Sequence, residues 1–343
     1  GALCVKCHMV EQPYMVVDWR ADHSFRVPRP DLSAVTGDPN ACEQSGCHAD
    51  QTRQWSIDAY RRWYGQARKP HFGTTFAAAR RGDETARPEL MRLAETDLVA
   101  PIVRATALEL LSRSPDPAGV ATLRTAIDSE EPLLRQAAGA NLPLVERSDV
   151  ERLAVLLSDP VKAVRIAVVP RLARAPREFL KPYQREAFDV ALQEYRDALS
   201  HSLDFAASAH NLGNLESRLG NAAAAERYYR QALAIDDLFT PAKSNLVVLL
   251  SGQGRNEEAE GLLREILRDN PDDGQSMYSL GLLRVERGDP ADGVLWLSRA
   301  AEDRPGDARV LRNLGLLLQQ MGRLDEAEAV LRRAYDLQPD TLD

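Results

Sequence analysis

A 34-residue period governs the second half of the chain. Leucines and glycines recur at this interval, at Leu212, Leu246, Leu280 and Leu314 and at Gly220, Gly254, Gly288 and Gly322. Small residues and prolines keep the same interval, at Ala225, Ala259, Gly293 and Ala327 and at Pro271, Pro305 and Pro339. This pattern is typical of stacked two-helix units, in which the leucine packs the first helix, the glycine ends it and the small residue lets the second helix approach. The fold is therefore predicted to be mostly α.

The period and its residue types are those of tetratricopeptide repeats. Four repeats are predicted, at 206–239, 240–273, 274–307 and 308–341. Residues 183–200 are expected to form a half-repeat that caps the stack, because Ala191, Tyr195 and Ala198 align one period upstream. Such a stack buries a continuous core and offers a concave groove to a protein partner.

By the register of that family, the groove positions include His210, Asn214, Tyr278, Leu282, Arg309, Arg312 and Leu316. Asparagines also recur at the period, at Asn211, Asn245 and Asn313. Similar proteins use such asparagines to hold a peptide backbone, and the alternative is a framework role. His201 and His210 are far in sequence from the other histidines, and both are interpreted as structural.

Residues 81–176 carry a weaker repeat of roughly 30 residues. Its copies begin at Pro101, Pro132 and Pro160, and each is followed by an arginine and small apolar residues. A proline at a helix start is favoured because its missing N–H would be unpaired there anyway. The segment resembles HEAT-like helix pairs. Its arginines could form a binding ridge, but the favoured interpretation is a framework role closing the loops between repeats.

The chemistry-bearing residues lie in the amino-terminal segment 1–80. All four cysteines, four of the six histidines and nine of the 20 aromatic residues lie there. Cys4, Cys7 and His8 form a Cys-x-x-Cys-His motif, which is typical of covalent attachment of a c-type haem. The two thiols add to the porphyrin, and the histidine supplies an axial nitrogen to the iron. Cys42, Cys47 and His48 form a second motif, with four residues between the cysteines.

Other interpretations of the four cysteines remain open at this point. Two pairs could bind one tetrahedral zinc ion, as in zinc ribbons. They could also form two disulfides in an exported chain, or be buried thiols. None of these alternatives requires a histidine directly after each pair, so two haem groups are the favoured cofactors.

Two six-coordinate haems need four axial ligands. His8 and His48 supply two of them, which leaves His23 and His71 as the predicted distal ligands. A propionate contact or a turn cap is the alternative role for either one. The methionines Met9 and Met15 are alternative ligands, and Arg20, Arg26 and Arg29 are candidates for pairing with propionates. A segment of this length with little regular structure is expected to fold around the haems as its core.

The motifs together resemble multihaem c-type cytochromes of Gram-negative bacteria, in which a haem domain precedes HEAT-like and tetratricopeptide repeats. The runs that carry the resemblance are Cys4–Met9, Tyr14–Asp18, Asp22–Asp31 and Pro39–Cys42. The resemblance implies three segments: a di-haem domain at 1–80, HEAT-like repeats at 81–176 and the tetratricopeptide solenoid at 177–343. It also implies a periplasmic or extracellular location, other redox proteins or cytochrome subunits as partners, and further haem motifs upstream of residue 1.

Electron transfer with a docking scaffold is the function favoured by the sequence, because iron with both axial positions filled has no open site for a substrate. An electron carrier is therefore favoured over an enzyme. The alternatives are a subunit of a multihaem oxidoreductase acting on a small inorganic substrate, and a chain that is chiefly an assembly module. The net charge of −8 argues against nucleic acid as a partner, and no apolar stretch approaches the ~20 residues of a membrane span.

Overall fold

The computed structural model of the chain describes residues 4–14, 18–23, 27–43, 48–65 and 70–338. The chain divides into two compact units, Gly1–Phe188 and Asp189–Asp343. The first unit contains both predicted segments 1–80 and 81–176, and the division between these two segments stays a prediction. Each helix within the described ranges is too short or too polar to cross a membrane.

The amino-terminal part of the first unit is built from short helices and one hairpin. Its elements are α1 (Cys4–His8), β1 (Glu11–Tyr14), β2 (Asp18–Ala21), α2 (Pro30–Thr36), α3 (Arg53–Tyr64) and α4 (Phe72–Arg80). The strands pair antiparallel, with Glu11 opposite Ala21. This part was expected to be irregular, and the expectation is wrong for residues 30–36, 53–64 and 72–80.

Local signals explain these helices. Pro30 occupies the first turn of α2, where its missing N–H costs nothing, and Gly37 ends that helix with a positive φ of 79°. The Thr52 side chain caps α3 by accepting from the Trp55 N–H, and the His71 side chain caps α4. The sequence contains each of these capping residues, but the prolines between the two cysteine motifs suggested extended chain instead.

Six helices follow in the first unit: α5 (Arg87–Glu95), α6 (Pro101–Ser112), α7 (Pro117–Ala126), α8 (Pro132–Asn141), α9 (Arg147–Val155) and α10 (Lys162–Leu172). Helices α6, α8 and α10 lie side by side, which confirms the predicted weak repeat. Pro101 and Pro132 start their helices as predicted, whereas the third helix begins at Lys162 rather than at Pro160. Their shared core contains the fully buried Leu108, Leu134 and Val168.

The second unit is a stack of helix pairs preceded by α11 (Pro182–Ser200), the helix within which the two units divide. The first helices of the pairs, called A helices here, are α12 (Ala206–Arg218), α14 (Thr240–Gly252), α16 (Gly274–Glu286) and α18 (Ala308–Gln320). The second, or B, helices are α13 (Ala222–Ile235), α15 (Asn256–Asp269), α17 (Pro290–Asp303) and α19 (Leu324–Leu337).

Each of these helices starts one full sequence period after its counterpart in the preceding repeat. The four periodic leucines are buried, and the four periodic glycines follow the A helices with φ between 73° and 83°. Only glycine adopts that left-handed conformation without strain, so each glycine ends its helix as predicted. The α-solenoid and its register are therefore confirmed over 206–338, while residues 339–341 of the fourth repeat lie outside the described part of the chain.

The predicted capping half-repeat at 183–200 corresponds to α11, whose Ala191 is fully buried. Arg196 of this helix donates to Glu216 of α12 at 2.7 Å. The carboxylate of Glu216 is almost inaccessible to solvent, so the ion pair anchors the last turn of α11 to the first A helix. Within the second unit, this part of α11 therefore covers the open edge of the first repeat.

Candidate functional site

The A helices of neighbouring repeats share one continuous surface. Their side chains contact each other across the repeats, from Asn245 of α14 to α12 and from Asn313 of α18 to α16. We call the exposed and half-buried side chains of α12, α14, α16 and α18 the A-helix surface. It contains the groove positions that the sequence predicted except Tyr278, which is buried, and these positions lie along it in register because the helices recur at the sequence period.

The first part of the A-helix surface is a polar cluster around His210. Asn245 donates from Nδ2 to His210 Nε2 at 2.9 Å and to Asn214 Oδ1 at 2.6 Å. The Tyr229 hydroxyl also donates to Asn214 Oδ1, at 2.9 Å. Burial lowers the pKa of the His210 imidazole, and the positive charge of Arg218 lowers it further. These contacts support the structural role predicted for His210 and give Asn245 a framework role.

The far end of the surface carries an aromatic ring and two arginines. The Arg309 guanidinium lies over the Tyr278 ring, 4.9 Å from its centroid. Asn313 donates to the Tyr278 hydroxyl at 2.6 Å. Two successive turns of α18 therefore contact the Tyr278 side chain. Arg312 lies on the same helix, one turn after Arg309 and half-buried. This end of the surface is cationic.

Three aliphatic side chains form a row between these two ends. Val248, Leu282 and Leu316 are 71%, 38% and 45% exposed and occupy the same position of successive A helices. We call them the aliphatic row. The sequence analysis identified Leu282 and Leu316 but missed Val248, although it lies one period before Leu282. Water-exposed aliphatic residues at a repeated position mark an interaction surface more strongly than scattered ones do.

The amino-terminal cysteines and histidines lie on separate short elements. Cys4 and Cys7 are exposed on α1, and the thiols of these two residues and of Cys42 are free of disulfide bonds. Burial raises the pKa of the Cys42 thiol, and the charges of Cys7 and Glu43 add to that shift. Cys47, Met15 and Arg26, which the sequence analysis also singled out, lie outside the described residues.

A cavity of about 890 Å³ brings two of the predicted site residues together. Cys7 and His71 both line it, with Arg29 and Phe72 among the other lining residues. His8, at the end of α1, is half-buried. His23 and His48 are exposed, and the His48 ring lies 4.6 Å from the ring of Trp55. Cys7 of the first cysteine motif and His71 therefore share one cavity.

His71 has a structural role as the cap of α4. Its Nδ1 accepts a hydrogen bond from the Gly73 N–H at 3.0 Å, which caps α4. A neutral imidazole that accepts at Nδ1 carries its hydrogen on Nε2, so neither nitrogen has a lone pair for iron while this bond is present. Such a cap contributes ~1 kcal/mol. Coordination of iron by His71 would replace the cap.

The amino-terminal segment buries little apolar surface of its own. Its buried apolar residues in the described ranges up to residue 80 are Pro30, Ala41, Ile57, Ala59, Phe76 and Ala77. Trp19, Trp63 and Tyr64 are mostly exposed in contrast. The apolar core within this segment is therefore small. The Cys7 thiol, the His71 imidazole and the apolar residues of the cavity are groups that could hold a porphyrin.

Two of the arginines proposed for propionates are already paired. Arg29 donates to both carboxylate oxygens of Asp31, at 2.8 and 2.7 Å, and Arg20 donates to Asp18 at 2.9 Å. Arg29 lines the cavity, so a propionate that binds it there would compete with Asp31. No group of three or more His, Cys, Asp or Glu side chains placed to hold a metal ion occurs in the described ranges.

Comparison with known proteins bears on the second unit. Tetratricopeptide-repeat family models match residues 218–280 and 294–340. A crystal structure of MamA is 19% identical, and the alignment covers 46% of this chain and 92% of that chain with a TM-score of 0.41. A MamA structure from Desulfovibrio magneticus RS-1, comprising residues 41 to the end, is 16% identical, with coverages of 51% and 98% and a TM-score of 0.41. No curated protein sequence matches the chain.

The family matches agree with the helix register, the buried leucines and the helix-ending glycines described above. Tetratricopeptide repeats form protein-interaction scaffolds, so protein partners are implied for this chain. The second unit of the chain contains tetratricopeptide repeats.

Proposed function

We propose that the chain is a docking scaffold that holds a partner protein against the A-helix surface of its second unit. The observation that carries this proposal is the aliphatic row, which repeats with the fold and remains exposed on three successive helices. Burying such residues against a partner removes apolar surface from water, at about 25 cal/mol per Å². The polar cluster at one end and the arginines at the other would fix the position of the bound segment.

Site-specific photocrosslinking tests this proposal in the native host. A photoreactive amino acid at position 282 should give a discrete crosslinked product with a partner protein. The matched control is position 295, because Leu295 is also exposed but lies on the B helix α17. The proposal is wrong if position 282 gives no product, or if both positions give the same products with equal yield.

The second candidate function is electron transfer through covalently attached haem, and the shared cavity of Cys7 and His71 favours it. Cys4 and Cys7 would hold one haem, with His8 and His71 as candidate ligands of its iron. Cys42, Cys47 and His48 would hold a second haem, with His23 as the remaining candidate ligand. A bound haem supplies one-electron Fe(III)/Fe(II) chemistry. Haem attachment of this type also implies export from the cytoplasm, which cell fractionation would test.

The haem proposal is tested on protein expressed with the c-type maturation machinery. The denatured intact mass should exceed the polypeptide mass by two haem groups, and both haems should be low-spin. His71→Asn should convert one of them to high-spin, because asparagine keeps the helix cap but provides no imidazole. His201→Asn, on an exposed residue of the second unit, is the control. A colourless protein, or an unchanged spectrum in His71→Asn, would contradict the haem attachment or the ligand assignment respectively.

The same spectra separate a carrier from an oxidoreductase. A multihaem enzyme acting on a small inorganic substrate needs one haem with an open axial position. Low-spin spectra for both haems that do not respond to carbon monoxide would favour the carrier, and a high-spin component that binds carbon monoxide would favour the enzyme.

A further inference from the structure

Acidic residues in the tetratricopeptide unit are segregated between the two helix layers. The four A helices contain two acidic residues, Glu216 and Glu286, whereas the four B helices contain thirteen. Glu216 is buried and paired with Arg196. Glu286 is the last residue of α16. Although the chain carries a net charge of −8, the middle of the A-helix surface is therefore almost free of carboxylates.

Some of the cationic side chains on the A helices form ion pairs with acidic residues of the same repeat. Lys243 is buried and lies 3.4 Å from Asp269. Arg284 pairs with Asp289 at 2.6 Å and with Asp292 at 2.8 Å. These pairs join the A helix to the B helix of the same repeat or to the turn before it. Their charges are neutralised inside the scaffold.

Arg309 differs from them in its surroundings. Its side chain is 56% exposed, and its nearest carboxylate, that of Asp307, lies 3.8 Å away. The carboxylate of Asp307 also pairs with Arg304 at 2.9 Å and accepts from backbone N–H groups at the start of α18. An exposed pair of this length contributes little stability. The positive charge of Arg309 is thus available to a ligand, two turns before Leu316 on the same helix.

We propose that the A-helix surface binds a protein segment in which aliphatic side chains adjoin acidic side chains. The aliphatic side chains pack on the aliphatic row, and the acidic side chains face Arg309 at the α18 end. The inference rests on the proposed docking function and specifies the partner that this surface fits. The inference follows from charge complementarity. Carboxylates of a partner would be attracted to the cationic end and would meet little repulsion along the row, where the A helices carry few carboxylates.

Fluorescence anisotropy with the full chain tests this partner chemistry. The probe is a labelled, carboxy-terminally amidated twelve-residue peptide with three leucines at alternate positions followed by two glutamates. One comparison peptide has lysines in place of the glutamates, and another has serines in place of the leucines. The first peptide should bind on the order of tenfold more tightly than either comparison peptide, and added salt should weaken its binding.

Two variants and two matched controls locate the binding. Arg309→Glu and Leu282→Ser should each raise the Kd of the first peptide by about tenfold, and Arg309→Glu should improve binding of the lysine peptide. Arg332→Glu on α19 and Leu295→Ser on α17 change exposed residues of the B helices and should leave both affinities unchanged. Circular dichroism melting confirms that each variant folds.

Equal binding of the glutamate and lysine peptides overturns the inference, as does an equal effect of Arg309→Glu and Arg332→Glu. The failure of every peptide to bind also overturns it. If position 282 still crosslinks to a partner in these cases, the docking function stands and only the inferred partner chemistry is wrong.

Discussion

Arg135 of α8 donates from Nε to Asp159, 24 residues later in the chain, at 2.6 Å. The same guanidinium donates from Nη1 to the carbonyl oxygens of Ser129 and Glu130 at 2.8 and 2.9 Å. Arg104 similarly donates to the carbonyl oxygen of Ala94. Each arginine therefore closes the loop before its own helix, and Arg135 also links that loop to the next repeat. The predicted framework role of these arginines is confirmed.

Loss of the Arg135 side chain should destabilise the first unit strongly. Asp159 is nearly buried, so Arg135→Met leaves its carboxylate without its guanidinium partner, and removing one member of a buried pair costs roughly 3–5 kcal/mol. Urea unfolding measures this change. Arg147→Met is the control, because the pair of Arg147 with Glu151 is exposed and should cost about 0–1 kcal/mol. Similar losses in both variants would contradict the framework role.

The sequence predicted the second unit well because a single constraint repeats there. The repeat period sets helix starts, core positions and turns together. Each later repeat has the same residue as Leu212, Gly220 and Ala225 at the equivalent position, or a similarly small one. Ion pairs between repeats were not predictable in the same way. The partners Arg135 and Asp159 are brought together by helix stacking, and no local pattern indicates which of several nearby acidic residues will pair.

The amino-terminal segment shows the limit of motif reasoning. His71 was predicted as an iron ligand because only two histidines of the segment remained unassigned. Its capping of α4 depends on the local backbone conformation, which a count of histidines does not reveal. The cavity shared by Cys7 and His71 is likewise a product of how α1, α2 and α4 lie together. The haem ligands stay predictions for this reason, whereas the repeat register is confirmed.

Leu280 and Leu282 should respond differently to the same substitution. Leu280 is fully buried in a core cluster with Leu246 and Leu250, so Leu280→Ala should lower the free energy of unfolding by ~2–5 kcal/mol. Leu282 belongs to the exposed aliphatic row, and Leu282→Ala should change the free energy by less than about 0.5 kcal/mol. Thermal and urea unfolding of the full chain test both changes. Equal losses would show that the register of α16 is wrong.

Gly213 should not tolerate a side chain. A Cβ atom built at this position would lie 2.6 Å from the ring of Tyr229, which packs against α12 and is held by its bond to Asn214. Overpacking of this kind typically costs ~1–3 kcal/mol, so Gly213→Ala should lower the midpoint of urea unfolding. Gly252→Ala is the matched control, since a Cβ there would meet no atom within 4 Å. A neutral effect of Gly213→Ala would show that the ring of Tyr229 can move aside.

The stability of the second unit should depend on the protonation of His210. Burial holds the pKa of this imidazole below 6.5, its value in an unfolded chain. The unfolded state therefore binds more protons between the folded pKa and pH 6.5, and stability rises with pH across that window. Seen from neutral pH, the loss begins as the pH falls through about 6.5, because protonated Nε2 can no longer accept from Asn245.

His210→Gln isolates this contribution, because glutamine does not titrate. The free energy of unfolding of the wild type and the variant should be measured by urea at intervals from about pH 7.5 to pH 5. The difference between the two should stay constant above about pH 7 and shift in favour of the variant as the pH falls below about 6.5. His201→Gln serves as the control and should keep the wild-type slope, because His210 is intact in that variant. A wild-type slope that persists in His210→Gln would assign the pH dependence to other groups.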